Sequence, residues 1–234
     1  MRPRWPTLTL ATAVLSTMLL SASLPATLAA PQEPAAAATR PALSITRAAS
    51  EILVDGVLDE PAWAGAMRLD VEYEWFPEDN VRPPVRTEFL ATYDDRNLYA
   101  AWICHDPNPS EIRAHLMDRD QVDTFVQDDH VLLMIDPFND ERRGFQFRLN
   151  PLGVQADAIF SENEGVEDFS YDMIWASAGR ITPDGYVVEI AIPLNQIRFP
   201  RSAGAQTWGF YVGRAYPRNV RHRIGAHPVD RNKA

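Results

Sequence analysis

The residues of this sequence best suited to binding chemistry are aromatic side chains that stand near planar polar ones. A pyranose ring offers an apolar face that stacks on an aromatic ring, and hydroxyls that hydrogen-bond to carboxylate, amide and guanidinium groups. We expect exposed rings at Trp75, Phe76, Phe125, Tyr171 and Trp175. The candidate ligand-binding residues of these types are Trp175, Tyr171, Trp75 and Asp172. Each tryptophan could instead be a packed core residue, which we expect for Trp63 and Trp102.

Carboxylates form a second set of candidate ligands. The chain has 32 Asp and Glu residues against 22 Lys and Arg, a formal net charge of −10. Calcium takes about six to eight oxygen ligands and tolerates irregular loops. The candidate calcium ligands are Asp55, Asp59 and Asp129. The spacing fits no EF-hand loop, so a solvated acidic face is the alternative. The negative charge also argues against a nucleic-acid partner.

No catalytic group can be assigned from the sequence. A glycosidase needs two carboxyl groups about 5 to 10 Å apart across a cleft, and no Asp or Glu sits in a diagnostic motif. Glu189 is the best candidate for an inward, functional carboxylate, although an outward position or pairing with Arg198 or Arg214 would explain it as well. There is no Ser-His-Asp pattern, zinc-ligand spacing or phosphate loop. The sequence therefore favours a protein that is not an enzyme.

A haem-binding sandwich of a redox subunit is an alternative from another class. Its axial ligands would be methionine or histidine, and the chain offers Met117, Met134, Met173, His115 and His130. Met134 lies in an apolar run, which favours a core position instead. The single Cys104 also lies in an apolar run, so we expect a buried thiol, and no internal disulfide can form.

The elements that must position these residues are predicted to be short antiparallel strands. Period-two alternation is clearest at residues 68–75. Further runs of strand character lie at residues 87–93, 98–103, 131–135, 145–149, 154–160, 174–181, 186–192 and 208–212. Helical periodicity occurs near residues 61–67 and 109–117. The pattern predicts an all-β fold, an antiparallel β-sandwich of the jelly-roll or immunoglobulin type, with about ten strands and one or two short helices.

Four segments follow one another along the chain. Residues 1–30 have a basic start, an apolar run and small residues, which is typical of a signal peptide, and residues 31–45 form a linker rich in Ala and Pro. The sandwich is predicted over residues 46–217. Residues 218–234 are expected to be an irregular basic tail, in a chain that is a fragment or a truncated product. The signal predicts an exported protein of the periplasm or outer membrane, or a secreted one.

The opening run, residues 52–63 (ILVDGVLDEPAW), makes a local structural prediction. Asp55 and Gly56 are expected to form a turn in which the carboxylate accepts a backbone N–H. Pro61 should open a helical turn. We expect Trp63 to pack against the sheet beneath this turn.

Five segments in a fixed order carry a resemblance to a known family. The opening run is followed by residues 93–99 (YDDRNLY), 129–136 (DHVLLMID), 145–150 (FQFRLN) and 185–193 (GYVVEIAIP). Together they resemble the family 9 carbohydrate-binding module. The resemblance implies a β-sandwich that binds a glycan without cleaving it, attached to carbohydrate catabolism through a partner enzyme or a missing domain. Similar domains begin large outer-membrane proteins, which implies a C-terminal barrel absent from this chain.

The resemblance matches the family's ligand pattern only in part. In sugar-binding members two tryptophans clamp a terminal sugar, while a glutamate and an arginine bind its hydroxyls. The arginine matches Arg148, the fifth candidate ligand-binding residue, but the glutamate falls on Leu132, and one tryptophan falls near Phe125 or Val126. The second tryptophan belongs to a C-terminal segment that we expect this chain to lack. A periplasmic interaction domain that docks on a barrel or another protein, with no sugar ligand, is therefore the alternative function.

Overall fold

Two antiparallel β-sheets make up the structure. The computed structural model describes residues 42–200 and 204–230. Its strands are β1 (Met67–Asp70), β2 (Tyr73–Phe76), β3 (Thr87–Tyr93), β4 (Asn97–His105), β5 (His130–Asp136), β6 (Arg143–Leu149), β7 (Gln155–Ser161), β8 (Val166–Asp168), β9 (Ala176–Thr182), β10 (Gly185–Pro193), β11 (Gly209–Pro217) and β12 (Arg221–Gly225). A five-stranded sheet has the order β1-β3-β4-β10-β9, and a seven-stranded sheet has the order β2-β12-β11-β5-β6-β7-β8. The predicted all-β antiparallel sandwich is confirmed.

Helical structure is confined to short segments. Helix α1 spans Pro61–Ala64, helix α2 spans Val122–Phe125, and a 3₁₀ turn covers Pro109–Glu111. Pro61 begins α1 at a position where its missing N–H costs no hydrogen bond. Within residues 42–200 and 204–230, none of the helices has the length and apolar character needed to cross a membrane.

The main hydrophobic core lies between the two sheets. Alternation in β5 turns Val131, Leu133 and Ile135 inward, where they are at most 3% exposed. These side chains join Trp102 of β4 and Phe147 of β6 in one cluster. Removing apolar surface from water is the dominant favourable term in folding. This layer is therefore the main source of the fold's stability.

Two aromatic residues that we expected at the surface are buried instead. Trp175 is 6% exposed and packs edge-on against Phe147, with 5.3 Å between the ring centroids. Phe125 is fully buried at the end of α2. The expectation of exposure is wrong for both: Trp175 lies in the predicted run 174–181 but precedes β9, and Phe125 lies in α2. Burial is confirmed for the three residues that we expected inside: Trp63, Trp102 and Cys104.

The opening segment, residues 46–66, covers the outer face of the five-stranded sheet. Its side chains Ile52, Ala62 and Trp63 form a second hydrophobic cluster with outward residues of β3, β4 and β10. The sheet residues of this cluster are Leu90, Tyr99, Ala101 and Ala191. Strands β4 and β10 are consequently buried on both faces over most of their length.

A buried carboxylate ties the opening segment to the sheet. Glu189 of β10 is fully buried. Its Oε2 accepts the backbone N–H groups of Asp55 at 3.1 Å and Gly56 at 2.6 Å, and its Oε1 accepts the indole N–H of Trp63 at 3.2 Å. Burial raises the pKa of Glu189 to about 7, although the backbone hydrogen bonds act in the opposite direction. Glu189 thus points to the outer face of the five-stranded sheet, where the opening segment buries it; its partners are in that segment, not Arg198 or Arg214.

The turn at Asp55 has the predicted form. The Asp55 Oδ1 accepts the backbone N–H of Val57 at 2.9 Å. Gly56 adopts a φ of 84°, in the left-handed region that favours glycine. A β-carbon at Gly56 would also stand only 3.2 Å from the Cβ of Arg180 in β9. The turn therefore requires glycine for both its conformation and its closeness to the sheet.

The C-terminal part of the described chain completes the seven-stranded sheet. Strand β12 lies between β2 and β11, and pairs antiparallel with both. The expectation of an irregular tail over residues 218–234 is therefore wrong at Arg221–Gly225, which form a strand although they are rich in basic residues. The predicted signal peptide and residues 31–41 of the predicted linker lie outside the described residues.

Trp63→Ala should lower the free energy of unfolding by roughly 3 to 5 kcal/mol, because it removes a buried ring and one donor to Glu189. Urea denaturation followed by circular dichroism measures this loss. Trp63→Phe keeps most of the ring without the N–H, and should cost less. A Trp63→Ala variant as stable as the parent would contradict the packing of the opening segment.

Stability should also depend on pH through Glu189. The pKa of about 7 in the folded protein exceeds the ordinary value of 4.5, so the folded state binds an extra proton between these values. The contribution of Glu189 to the free energy of unfolding is therefore fully present below pH 4.5 and is lost as the pH rises through about 7. Urea titrations of the parent and of Glu189→Gln across this window measure the effect. If the free energy of unfolding depended on pH in the same way in both proteins, the raised pKa could not belong to Glu189.

Candidate functional site

The outer face of the seven-stranded sheet, which we call the open face, carries rings, amides and charges. Alternation in β5 and β6 sends their apolar residues to the core and the intervening residues outward. The outward side chains of four neighbouring strands include His130, Leu132, Met134, Gln146, Arg148, Tyr211 and Arg223. The opening segment covers the other sheet, and most of these side chains remain partly exposed.

Arg148 lies near the middle of the open face. In the strand register it stands opposite Leu132 of β5 and Ala156 of β7. Its guanidinium is paired with the carboxylate of Glu167 in β8, and its guanidinium carbon lies 5.4 Å from the ring centroid of Phe169. Burial lowers the pKa of Arg148, and the charge of Glu167 opposes this shift. The pair holds a planar donor group rigidly at the surface.

One polar atom of Arg148 and one of its neighbour Gln146 have no hydrogen-bond partner among the described residues. Gln146 is 2% exposed, and its amide N–H donates to the Oε1 of Glu167 at 3.0 Å, whereas its own Oε1 is buried and unpaired. The Nε of Arg148 is likewise buried and unpaired. Buried polar atoms nearly always find a partner. One acceptor and one donor, two residues apart on a single strand, are therefore left unpaired just beneath the open face.

Aromatic rings flank this polar group on both sides. Phe169 follows β8 on one side. On the other side, Trp75 of β2 donates its indole N–H to the phenol oxygen of Tyr211 at 2.9 Å. Burial raises the pKa of Tyr211 to about 12, so the phenol is neutral at physiological pH. Its hydroxyl retains a proton that it can donate to a ligand.

Arg223 of β12 lies over the ring of Trp75 and over that of its neighbour Phe76. Its guanidinium carbon lies 5.3 Å from the ring centroid of Trp75 and 5.7 Å from that of Phe76. At such distances the negative π-face of a ring attracts a cation. Arg223 therefore contacts aromatic rings, and no carboxylate of the described residues is paired with it.

Two glycines allow the Tyr211 ring to lie close to the sheet. Gly213 of β11 and Gly225 of β12 are paired in the strand register. A β-carbon on Gly213 would stand 3.0 Å from the Cε1 of Tyr211, and one on Gly225 would stand 3.0 Å from its phenol oxygen. The ring fills the space that two side chains would occupy, which keeps the phenol within reach of Trp75.

His130, at the start of β5, is held neutral. Burial lowers its pKa to about 3, and the charges of Arg148 and Arg221 act in the same direction. Its Nδ1 lies 3.0 Å from the carbonyl oxygen of Asp128. Because a carbonyl oxygen only accepts, we assign the proton to Nδ1, and Nε2 remains an acceptor.

The structure brings two of the five predicted ligand residues, Arg148 and Trp75, to the open face. Trp175 is not one of them, because its ring lies in the core. Its indole N–H donates to the Oδ1 of buried Asp157 at 3.1 Å. A buried ring with a satisfied N–H offers no surface on which a sugar could stack, so the expected role of Trp175 as a platform is not supported.

Tyr171 and Asp172 make their contacts elsewhere in the fold. Tyr171 packs on Phe145, an inward residue of β6, with 5.7 Å between the ring centroids. Asp172 is exposed, and its Oδ1 lies 3.4 Å from a guanidinium nitrogen of Arg119. These contacts are with the core and with the segment before α2, and they do not join Tyr171 or Asp172 to Arg148.

The predicted calcium ligands do not come together either. Among the described residues the converging carboxylates are Asp120, Asp157 and Asp172, whose oxygens lie within 4.8 Å of one another. None of the three predicted ligands, Asp55, Asp59 and Asp129, belongs to this group. The guanidinium of Arg119 is paired with all three converging carboxylates. An arginine thus provides the positive charge that this cluster requires.

Asp129 has a structural role. It is fully buried, and its Oδ2 accepts a guanidinium N–H of Arg218 at 2.8 Å and the backbone N–H of Arg113 at 2.9 Å. Arg218 also pairs with the buried carboxylate of Asp106. These partners account for the position of Asp129 without a metal ion.

Sequence reasoning missed several residues of the open face: Gln146, Glu167, Phe169, Tyr211 and Arg223. A signal existed for Gln146, because it alternates with Phe145 and Phe147 and must share a face with Arg148. The other residues reach the site through pairing between strands, such as β7 with β8 and β11 with β12. Local patterns do not reveal that pairing.

The comparisons with known proteins agree on the architecture. The sequence profile of the carbohydrate family 9 binding domain-like family matches residues 54–216. No curated protein sequence matches the chain. A family 9 carbohydrate-binding module from Caldicellulosiruptor kristjanssonii, solved in complex with glucose, is similar with 17% identity and a TM-score of 0.52 over 78% of this chain and 84% of its own.

A family 9 module from the same organism, in complex with cellotriose, has 17% identity and a TM-score of 0.51 over 78% of this chain and 83% of its own. Likeness at this level of identity shows the fold alone. The profile match, which covers most of the chain, goes further. The chain belongs to the carbohydrate family 9 binding domain-like family.

Proposed function

We propose that the chain is a non-catalytic carbohydrate-binding module that holds a glycan on its open face. The observation that carries the proposal is the group formed by Arg148, Gln146 and Glu167 beside aromatic rings. Glu167 fixes the guanidinium of Arg148 and the amide of Gln146, and both keep one buried atom unpaired. A guanidinium and an amide held this close together suit the vicinal hydroxyls of a pyranose.

The rings supply the second part of sugar recognition. Trp75 and Tyr211 lie on one side of Arg148, and Phe169 lies on the other. A ring stacked on the apolar face of a sugar contributes about 0.5 to 1.5 kcal/mol beyond the burial of area. Hydrogen bonds to a charged group such as Arg148 contribute about 1.5 to 3 kcal/mol. We therefore expect Arg148 to dominate the affinity.

The solved relatives suggest the first ligands to test. The two Caldicellulosiruptor modules were solved with glucose and with cellotriose. The position of Arg148 supports the same ligand class for this chain, since the family resemblance aligns the sugar-binding arginine with it. Leu132 stands opposite Arg148 where that resemblance expects a glutamate. The carboxylate of Glu167 lies next to Arg148 in space and could take over the acceptor role.

The cellular setting follows from the N-terminal sequence. Residues 1–30 have the composition of a signal peptide, so we propose an exported protein of the periplasm, the outer membrane or the medium. In that setting the module would serve carbohydrate catabolism by holding a glycan near a partner enzyme or a further domain, for example an outer-membrane barrel. The alternative function is an interaction domain for such a partner, without a sugar ligand.

Arg148→Gln should weaken glycan binding about tenfold to a hundredfold, because it removes a charged donor that contributes about 1.5 to 3 kcal/mol. Isothermal titration calorimetry with glucose, cellotriose and a panel of other oligosaccharides measures the change. Arg180→Gln is the matched control, since Arg180 is an exposed arginine of β9 in the other sheet. Its affinity should equal that of the parent. A folded parent that binds no member of the panel would favour the interaction domain.

Trp75→Ala and Trp175→Ala should have opposite consequences. Trp175 is buried, so its removal should cost roughly 3 to 5 kcal/mol of stability. Trp75 is partly exposed on the open face, so its removal should cost less stability but weaken glycan binding several-fold. Thermal melts and calorimetry on both variants test the assignment. If Trp75→Ala cost more stability and Trp175→Ala weakened binding more, Trp175 would be the stacking residue and Trp75 the core residue.

A further inference from the structure

The open face carries positive charge on a protein that is strongly acidic. The chain has a formal net charge of −10, yet three arginines lie on this one face, Arg148 on β6 and Arg221 and Arg223 on β12. Arg148 is paired with Glu167. Arg221 donates to the backbone carbonyl of Val126. Neither Arg221 nor Arg223 is paired with a carboxylate in the described part of the chain.

These arginines lie close enough to repel one another. Burial lowers the pKa of Arg221, and the charges of Arg223 and Arg113 add to this effect. The charge of Arg223 also lowers the pKa of Arg148. His130 beside them is neutral and contributes no charge. The fold tolerates a repulsion here that a bound anion would relieve.

The position of Arg223 adds a geometric reason. Its guanidinium lies over the rings of Trp75 and Phe76. A neutral sugar that stacks on Trp75 from that side must displace the cation and gains no charge pair in return. A sugar that carries an anionic group could stack at the edge of the ring and pair with Arg223 at the same time.

We propose that the open face prefers an acidic sugar, whose anionic group pairs with Arg223 while its hydroxyls bind Arg148 and Gln146. The inference rests on the proposed function and specifies its ligand class. A guanidinium pairs with the planar carboxylate of a hexuronic acid and with a sulfate ester. Both belong to this class, and separate ligands distinguish them.

The test is a calorimetric comparison of three oligosaccharides of equal length: an oligogalacturonate, its carboxyl-reduced neutral counterpart, and a sulfated neutral oligosaccharide. At low salt an acidic ligand should bind about tenfold more tightly than the neutral one. The preference should shrink as NaCl is raised from about 50 to about 500 mM, because salt screens a partly exposed ion pair. Binding of the neutral ligand should not depend on salt.

Arg223→Gln should remove most of the preference for the acidic ligand, because it removes the cation that pairs with the anionic group. Arg180→Gln, in the other sheet, should retain the full preference. Tighter binding of the sulfated ligand than of the uronate would support the inference with sulfate as the anion.

The outcomes separate this inference from the proposed function. Equal affinity for acidic and neutral sugars would overturn the preference and leave the glycan-binding proposal standing. A preference that persists in Arg223→Gln would overturn the role of Arg223. No binding of any sugar by the folded parent would overturn the proposed function itself.

Discussion

The fold depends on a buried carboxylate that three N–H groups share. Glu189 accepts two backbone N–H groups of the opening turn and the indole N–H of Trp63. This interaction closes the outer face of the five-stranded sheet, because it holds an apolar segment over strands that would otherwise face water. The outer face of the seven-stranded sheet remains open. Glu189 and the apolar residues of the opening segment therefore leave the outer face of the seven-stranded sheet as the candidate ligand-binding face.

The open face is assembled from segments far apart in the sequence. Trp75 lies on β2 near the start of the domain, and Tyr211 and Arg223 lie on the last two strands. They meet because β12 lies between β2 and β11. Arg148 reaches the same surface from β6 by simple alternation. The site thus combines a local pattern with a non-local one, and only the local part is visible in the sequence.

This division explains what the sequence could predict. Alternation identified the antiparallel sandwich and most strands, and the ordered segments pointed to the family and to Arg148. It failed for Trp175, which precedes β9 and is buried by contacts with Phe147 of β6 and Asp157 of β7, two strands of the other sheet. It also failed for β12, whose alternating arginines resemble a solvated tail until pairing with β11 gives them a face.

The position of Trp75 has a further consequence for how the protein can be observed. Of the other tryptophans in the described chain, Trp63, Trp102 and Trp175 are buried, and Trp208 is partly buried against Phe199. Trp75 is partly exposed, touches the phenol of Tyr211 and lies under the guanidinium of Arg223. Its excited state therefore senses the polarity and charge of the open face, whereas the other four indoles of the described chain pack against the two hydrophobic clusters. The molecule carries its own optical reporter of occupancy, and steady-state emission can follow a ligand without any label.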